Sequence, residues 1–443
     1  MNNCSMIAIS GAAAVAAAIC YILFGPKQYN IKPLKGGSYP GLDNLGNTCF
    51  LNCILQSLAS LPAFVIYLKK INANSNCNKQ NKPLTNILAG LLDELSQKHN
   101  YARSLSASSV LEVLFRYNWI ISSEQHDAHE MYHALLTTLV EETDYNDNLH
   151  PSHDLNNAIS YCSNDEIDEG SAHAATRTHA PVRTLDRKGI LGSFPFHGLL
   201  ASQMSCLKCR HKNPTRYDIF DSISLSIPTS MQKASYSDEK KYLHLLTLSS
   251  EILINKISHL NLELEDCIKT FLMKEYIDDV ICDNCSKDNG KNGKATRKTF
   301  MKETFFGKLP QCLCIHIQRI YWNSSGSSYK CDKFIPFPPL LDMTPFTVFD
   351  NYSNPNGIYP NKLNSISNSL NDSASNDRKF YRYKLVAVVC HFGSDGFDGH
   401  FVSYRTDKSA NNSWYYISDN VVRTALLSEV LLSKAYLIFY ERL

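Results

Sequence analysis

Two Cys-x-x-Cys pairs, Cys206-Leu-Lys-Cys209 and Cys282-Asp-Asn-Cys285, constrain this chain more than any other feature, because they must meet in space if they share one ion. Each pair sets two thiols on a tight turn. Four thiolates from two such knuckles make a closed tetrahedral zinc site of the structural kind, with no position left for water. The chain has 443 residues and 15 cysteines, and an odd count in so long a chain argues for a reducing compartment rather than a secreted disulfide framework. The alternatives are disulfides, unligated thiols, or His211 in place of one cysteine. Between the knuckles, Tyr217 to Ile227 alternates like a strand, Thr229 to Asn261 reads as an insertion, and Leu262 to Phe271 spells an acidic amphipathic helix.

A second thiol has a different setting. Gly41-Leu-Asp-Asn44-Leu-Gly-Asn-Thr48-Cys49 reads as a tight polar loop that delivers Cys49 to the first turn of a helix, with Thr48 as N-cap. Phe50, Leu51, Ile54, Leu55 and Leu58 supply one buried helical face. The positive end of a helix stabilises a thiolate, which makes Cys49 a candidate nucleophile; a small buried core cysteine is the competing reading. The formal charge of +2, with 44% hydrophobic and 19% charged residues, describes a chain able to bury a large core and carries no basic field for a nucleic-acid partner.

From Met6 to Phe24 there is no charged residue, and nineteen residues at about 1.5 Å each reach roughly 28 Å, close to a bilayer's hydrocarbon thickness. Lys27, Lys32 and Lys35 follow the span and none precedes it, so the positive-inside bias places the bulk of the chain in the cytosol. A cleaved signal peptide is the alternative, but its basic leading region is missing. The weak hydrophobicity resembles signal anchors of the mitochondrial outer membrane, with the endoplasmic reticulum membrane as the alternative location.

The periodic runs at Leu84 to Leu95 and Val110 to Leu114 predict helices around the cysteine helix. After a serine cap comes Gln125-His-Asp127-Ala-His129-Glu130-Met-Tyr-His133, a helix start that also spells His-Glu-x-x-His, the pattern that puts two zinc ligands on one helical face. Three fixed positions arise easily by chance, and a third ligand at metzincin spacing is missing downstream. Near the C-terminus, Phe305 to Arg319 has a buried-strand pattern whose Cys312, Cys314 and His316 share one face, read as core. Three further strands carry His391, Gly399-His400 and Ser418-Asp419; His391 and His400 are rival candidates for a base, and the glycine before His400 leaves room for a substrate strand. The segments Asn146 to Gly189 and Asn351 to Asp377 are polar, aperiodic insertions.

Several of these stretches resemble the ubiquitin-specific proteases, papain-like thiol isopeptidases. The cysteine box Gly-Leu-x-Asn-x-Gly-Asn-Thr-Cys-Phe-x-Asn around Cys49 matches, as do Gln125, Asp127, Ala128, His129 and Glu130, and Gly399-His400-Phe401. The resemblance implies an α+β fold with a helical thumb, zinc-ribbon fingers and a β-rich palm, here preceded by one N-terminal transmembrane helix. It implies a tail at 1–5, an anchor at 6–24, a basic linker at 25–40 and a protease domain at 41–443, divided into thumb (41–190), fingers (191–300) and palm (301–443). It assigns Cys49 and His400 to catalysis, Asn44 to the oxyanion, Asp127 and Glu130 to the arginines of ubiquitin's tail, and Cys206, Cys209, Cys282 and Cys285 to one structural Zn2+, with no catalytic cofactor. One position departs from the family: Ser418 stands where an acidic or amide residue is usual, and Asp419 follows as the alternative orienting group. A serine hydroxyl can accept the imidazole Nδ1–H and fix the tautomer, but it brings no charge. With the anchor and the terminal run Ala435 to Arg442, this resembles the family's mitochondrial outer-membrane member, which implies monomeric removal of ubiquitin from outer-membrane proteins and restraint of mitophagy. The competing readings are an inactive ubiquitin-binding scaffold and a protease for another modifier such as SUMO or NEDD8.

Overall fold

The computed structural model describes residues 38–73, 82–100, 103–121, 126–144, 194–228, 262–287, 296–322, 328–347, 381–393, 399–407 and 413–443. The predicted span at 6–24, most of the linker, Gln125 and the predicted insertions at Asn146 to Gly189, Thr229 to Asn261 and Asn351 to Asp377 lie outside the described residues. Among the described residues no single helix is long and apolar enough to cross a membrane. Ser38 to Pro40, assigned by sequence to the linker, belong to the folded part: Tyr39 is buried and its hydroxyl donates to Asp407 at 2.7 Å.

The chain opens with β1 (Gly41–Leu42), α1 (Cys49–Ala59), α2 (Pro62–Ala73), α3 (Pro83–Leu95), β2 (Ser104–Leu105), α4 (Ser108–Arg116) and α5 (Ala128–Asp144). A middle set follows: β3 (Gly198–Cys206), β4 (Arg216–Phe220), β5 (Ser222–Ser226), α6 (Leu264–Phe271), β6 (Glu275–Ile281), α7 (Asp283–Lys287) and β7 (Arg297–Lys308). The remainder is β8 (Cys312–Gln318), β9 (Ile320–Trp322), β10 (Ser328–Lys330), β11 (Leu340–Asp342), β12 (Arg382–Phe392), β13 (His400–Thr406), β14 (Trp414–Ser418), β15 (Val421–Ala425), α8 (Leu427–Leu431) and β16 (Ala435–Arg442).

α1 is the hub of the helical lobe. Its spacing predicts one buried face, yet every one of its residues is buried, because α3 and α5 pack on one side and β12, β13 and β14 on the other. The polar residues carried into this setting are partnered, as buried polar groups must be. Gln56 Nε2 donates to the Pro40 carbonyl at 2.9 Å, its Oε1 accepts from Arg405 at 2.8 Å, and Ser57 Oγ donates to the Cys53 carbonyl at 2.8 Å.

The large sheet runs in the order β15-β14-β13-β12-β16-β8-β5, with β11 paired on β12. Both faces are covered, and alternation sends neighbouring residues to different cores. In β16, Leu437 and Phe439 face the helices while Ile438 and Tyr440 join the core with α6. Cys312 and Cys314 of β8 lie buried on the helical side, as the strand pattern predicts for core residues. In β12 a bulge between Leu385 and Ala387 shifts the alternation, so that Val386 and Ala387 both enter the helix-side core.

A second, antiparallel sheet, ordered β4-β3-β7-β6, projects with one small buried cluster made of Cys206, Cys282, Cys285 and Phe300. Tyr217 to Ile227, which alternates as if it were one strand, is two: the chain bends at Asp221, so β4 joins this sheet and β5 joins the large one. The bend is held where the Asp221 carbonyl accepts the Tyr132 hydroxyl at 2.8 Å. Phe305 to Arg319 likewise divides into β7 and β8 across Leu309-Pro310, where proline has no N–H to continue a ladder.

One buried carboxylate ties three helices together. Glu142 of α5 accepts from Leu84 N at 2.7 Å, from Thr85 N at 2.8 Å and Oγ1 at 2.7 Å, and from the Tyr117 hydroxyl at 3.0 Å. It replaces the missing side-chain cap of α3 with a long-range one. Glu142→Ala leaves those donors buried without an acceptor and is expected to cost about 3 kcal/mol of stability, read as a lowered midpoint with unchanged slope in urea unfolding.

Candidate active site

Cys49 begins α1 and is 3% exposed. The loop before it runs through Gly46 at φ +96° and Asn47 at φ +56°, left-handed conformations that glycine and asparagine tolerate. Thr48 precedes the helix, but its hydroxyl does not cap it as its position predicts; Oγ1 accepts from Leu45 N at 2.9 Å and closes the loop instead. Asn44 organises the same loop from inside. Its Oδ1 accepts from Gly46 N and Thr48 N, both at 3.1 Å, which fixes the amide so that Nδ2 points outward.

The opposite wall is the β13–β14–β15 meander. His400 starts β13, and Ser418 ends β14 before the two-residue turn Asp419-Asn420. His400 Nε2 lies 2.8 Å from Ser418 Oγ, and the imidazole is 40% exposed. The nitrogen facing the serine is therefore Nε2, not the Nδ1 expected from sequence. With Nε2–H donated to Ser418, Nδ1 keeps its lone pair for a proton from elsewhere.

Asp419 adopts φ +50° at the turn and joins the two walls. Its Oδ2 accepts from Asn44 Nδ2 at 2.9 Å and its Oδ1 from Asn52 Nδ2 at 2.8 Å, while its carbonyl accepts from Leu42 N at 3.0 Å. Its Oδ2 is also 4.0 Å from His400 Nε2. The turn sits flush on Gly41, where a Cβ would meet Asn420 Cα at 2.5 Å. Asn52, in the turn of α1 after Cys49, has no assigned role in the sequence reading. Its only signal there is its place in the cysteine box.

The electrostatics differ from those a bare helix start implies. Burial pushes the Cys49 thiol above its ordinary range; the Phe401 and Phe50 amides pull it down, and the Asp419 carboxylate pushes it up again, so the net direction is upward. The helix end does act, but desolvation outweighs it. The dependence on Phe401 places the sulfur beside the first peptide of β13, next to His400.

The other histidines fall elsewhere. His391 is buried against Phe401 and Tyr436, with ring centroids at 4.6 and 6.4 Å. It also explains Gly399: a Cβ there would come within 2.1 Å of His391 Nε2, so the glycine makes room for this side chain. Asp127 caps α5, with Oδ1 accepting from His129 N at 2.6 Å and Glu130 N at 3.2 Å, and its Oδ2 takes the Tyr436 hydroxyl. The expected serine cap is thus replaced by an aspartate. Glu130 is exposed.

The four knuckle cysteines converge at the tip of the small sheet. Cys206 Sγ is 3.9 Å from Cys285 Sγ, Cys209 Sγ is 3.6 Å from Cys282 Sγ, and all four sulfurs lie within 4.8 Å of one another. Sulfurs about 2.3 Å from a tetrahedral ion stand about 3.8 Å apart, so the set is spaced to hold a metal and too far apart for S–S bonds. His211 contributes its backbone carbonyl to Cys206 N at 2.9 Å, and its side chain is exposed.

A family profile described as ubiquitin carboxyl-terminal hydrolase matches residues 40–440. Ubiquitin carboxyl-terminal hydrolase 30 of Xenopus tropicalis is 33% identical over 496 residues, covering 100% of this chain and 88% of that protein. Its Homo sapiens counterpart is 34% identical over 498 residues, covering 98% and 90%. Among solved structures, the SAGA Ubp8/Sgf11/Sus1/Sgf73 DUB module bound to ubiquitin aldehyde shares the fold at a TM-score of 0.58 and 20% identity, covering 100% of this chain and 76% of the matched one. The chain belongs to the ubiquitin carboxyl-terminal hydrolase family and is, on that membership, a cysteine-type deubiquitinase.

Proposed function

We propose that the chain is a membrane-anchored deubiquitinase that cleaves isopeptide bonds at the C-terminal glycine of ubiquitin, with Cys49 as nucleophile, His400 as base and then acid, Ser418 as the group that orients His400, and Asn44 as the oxyanion donor. The observation that carries this reading is the 2.8 Å bond between His400 Nε2 and Ser418 Oγ, on the strand whose Phe401 amide reaches the Cys49 thiol. His400 Nδ1 takes the thiol proton as the sulfur attacks the glycine carbonyl. The developing oxyanion accepts from the Asn44 N–H that Asp419 does not use. His400 returns the proton to the leaving lysine amine, and a water activated by the same nitrogen then hydrolyses the thioester.

Ser418 is neutral, and the Asp419 carboxylate stands 4.0 Å from His400 Nε2. Glu130, exposed beside Asp127, suits the arginines of ubiquitin's tail, and the small sheet suits its globular part. The four cysteines hold one structural Zn2+, for which all-thiolate tetrahedral donors are the usual set. Similarity to hydrolase 30 proteins across 100% of the chain, together with the uncharged span at 6–24, supports an anchor in the mitochondrial outer membrane, ubiquitin removal from proteins there and restraint of mitophagy.

A fluorogenic ubiquitin substrate tests the core of the reading: Cys49→Ala is expected to abolish hydrolysis, and an intact protein without hydrolysis would instead be a ubiquitin-binding scaffold. Covalent probes built on SUMO or NEDD8 would label Cys49 if another modifier were the substrate. Ser418→Ala should slow turnover roughly 10- to 100-fold with little change in KM. Because the thiol is held up, activity of the free enzyme should rise with pH through neutrality; Asp419→Asn removes the negative charge and should move that limb to lower pH, even as it lowers the maximum by disturbing Asn44 and Asn52. Stripping the metal with a strong chelator should lower the melting temperature, and an unchanged melt would refute the zinc assignment. A reporter fused to residues 1–40 should co-localise with mitochondria.

A further inference from the structure

The proposed chemistry leaves a compact group of side chains unused on the helical side of the large sheet. His129 and His133 stand one turn apart on α5, and their Nε2 atoms approach to 3.0 Å. Ser222 Oγ of β5 lies 2.9 Å from His129 Nε2 and 3.3 Å from His133 Nε2. These three donors form a triangle with no edge longer than 3.3 Å. An ion at the usual zinc–imidazole distance of about 2.0–2.1 Å from two nitrogens this close subtends about 95° between them, a bite that octahedral and distorted tetrahedral sites both accept.

The surroundings match those of a metal-binding pair. Asp221 Oδ2 lies 3.2 Å from His133 Nδ1, so a carboxylate takes the outer N–H and turns the Nε2 lone pair toward His129 and Ser222, the outer-carboxylate arrangement found behind metal-bound imidazoles. The ring of His316 lies against His129, tilted by 30° with centroids 4.1 Å apart; its Nδ1 meets Ser224 Oγ at 3.1 Å, and its buried Nε2 has no hydrogen-bond partner among the described residues. The His133 side chain is 39% exposed, which gives an ion a route from solvent.

We propose that His129, His133 and Ser222 form a second metal site, which takes one divalent transition cation of the zinc class with Asp221 as the outer carboxylate. The sequence pattern His129-Glu-x-x-His133 thus has a meaning, though not a proteolytic one, since the third corner is a serine hydroxyl. A neutral oxygen beside two imidazoles binds more weakly than the four thiolates of the knuckles. The ion joins α5, which carries Asp127 and Glu130, to β5 of the large sheet. The inference does not depend on the assignment of Cys49 or His400.

The test is a Co2+ titration of the detergent-solubilised full-length protein with its four-cysteine site already filled by zinc. Visible d–d bands without near-ultraviolet thiolate-to-cobalt absorption, saturating at one equivalent, are expected, together with a rise in melting temperature, because the ion binds only the folded state. His133→Gln should abolish both signals, and Asp221→Asn should weaken binding about 10- to 100-fold. An unchanged cobalt spectrum and stoichiometry in His133→Gln, or no binding by the wild-type protein at millimolar Co2+, would overturn the proposal. If His133→Gln does not fold, Asp221→Asn, checked by its circular dichroism, carries the same decision.

Discussion

The carboxylate of Asp419 is the constraint on which the rest of the site depends. From the turn of the β14–β15 hairpin it reaches Asn44 in the loop before Cys49 and Asn52 in the helix after it, with His400 at 4.0 Å. Two charge-assisted hydrogen bonds in a half-buried setting hold these amides more firmly than neutral partners would. The backbone reinforces the side chain, since the same residue's carbonyl takes Leu42 N and its turn lies against Gly41. The loop that shapes the cysteine box is therefore not autonomous. Its geometry is set by a hairpin that arrives near the end of the chain.

The same carboxylate has an electrostatic cost. It pushes the Cys49 thiol upward in the direction burial already drives it, against the helix-end amides. A thiol held this way rests protonated and becomes nucleophilic when a base takes its proton. In the proposed mechanism that places the burden on His400, whose oriented tautomer and remaining lone pair then matter more than the static acidity of the cysteine. In the same proposed mechanism Ser418 orients the imidazole while Asp419 holds the two amides, a division between two adjacent residues.

Much of this was legible in the chain. The helical runs at Leu84 to Leu95 and Val110 to Leu114 appear as α3 and α4, and the two Cys-x-x-Cys pairs meet as their spacing demands. The misreadings share a cause. Tyr217 to Ile227 alternates without a break, but strand periodicity reports which face a side chain takes and not which sheet the strand joins, so the bend at Asp221 was invisible. Nothing in the sequence places His391 beside Gly399, where a Cβ would meet its ring. Thr48 read as a cap because capping is judged from local order, while the hydroxyl was taken by a loop contact.

What the sequence determined by itself is local chemistry: a cysteine at a helix start, paired thiols on turns, a glycine-preceded histidine on a strand, and an uncharged leading span. Only the tertiary structure decided which groups face one another. It chose Nε2 of His400 for Ser418, gave Asp419 to Asn44 and Asn52, and brought Ser222 onto two imidazoles of α5. The physical reason is that helix and strand periodicities fix directions over a few residues, whereas these contacts join segments far apart in the chain whose meeting is set by sheet register and by packing on both faces of α1.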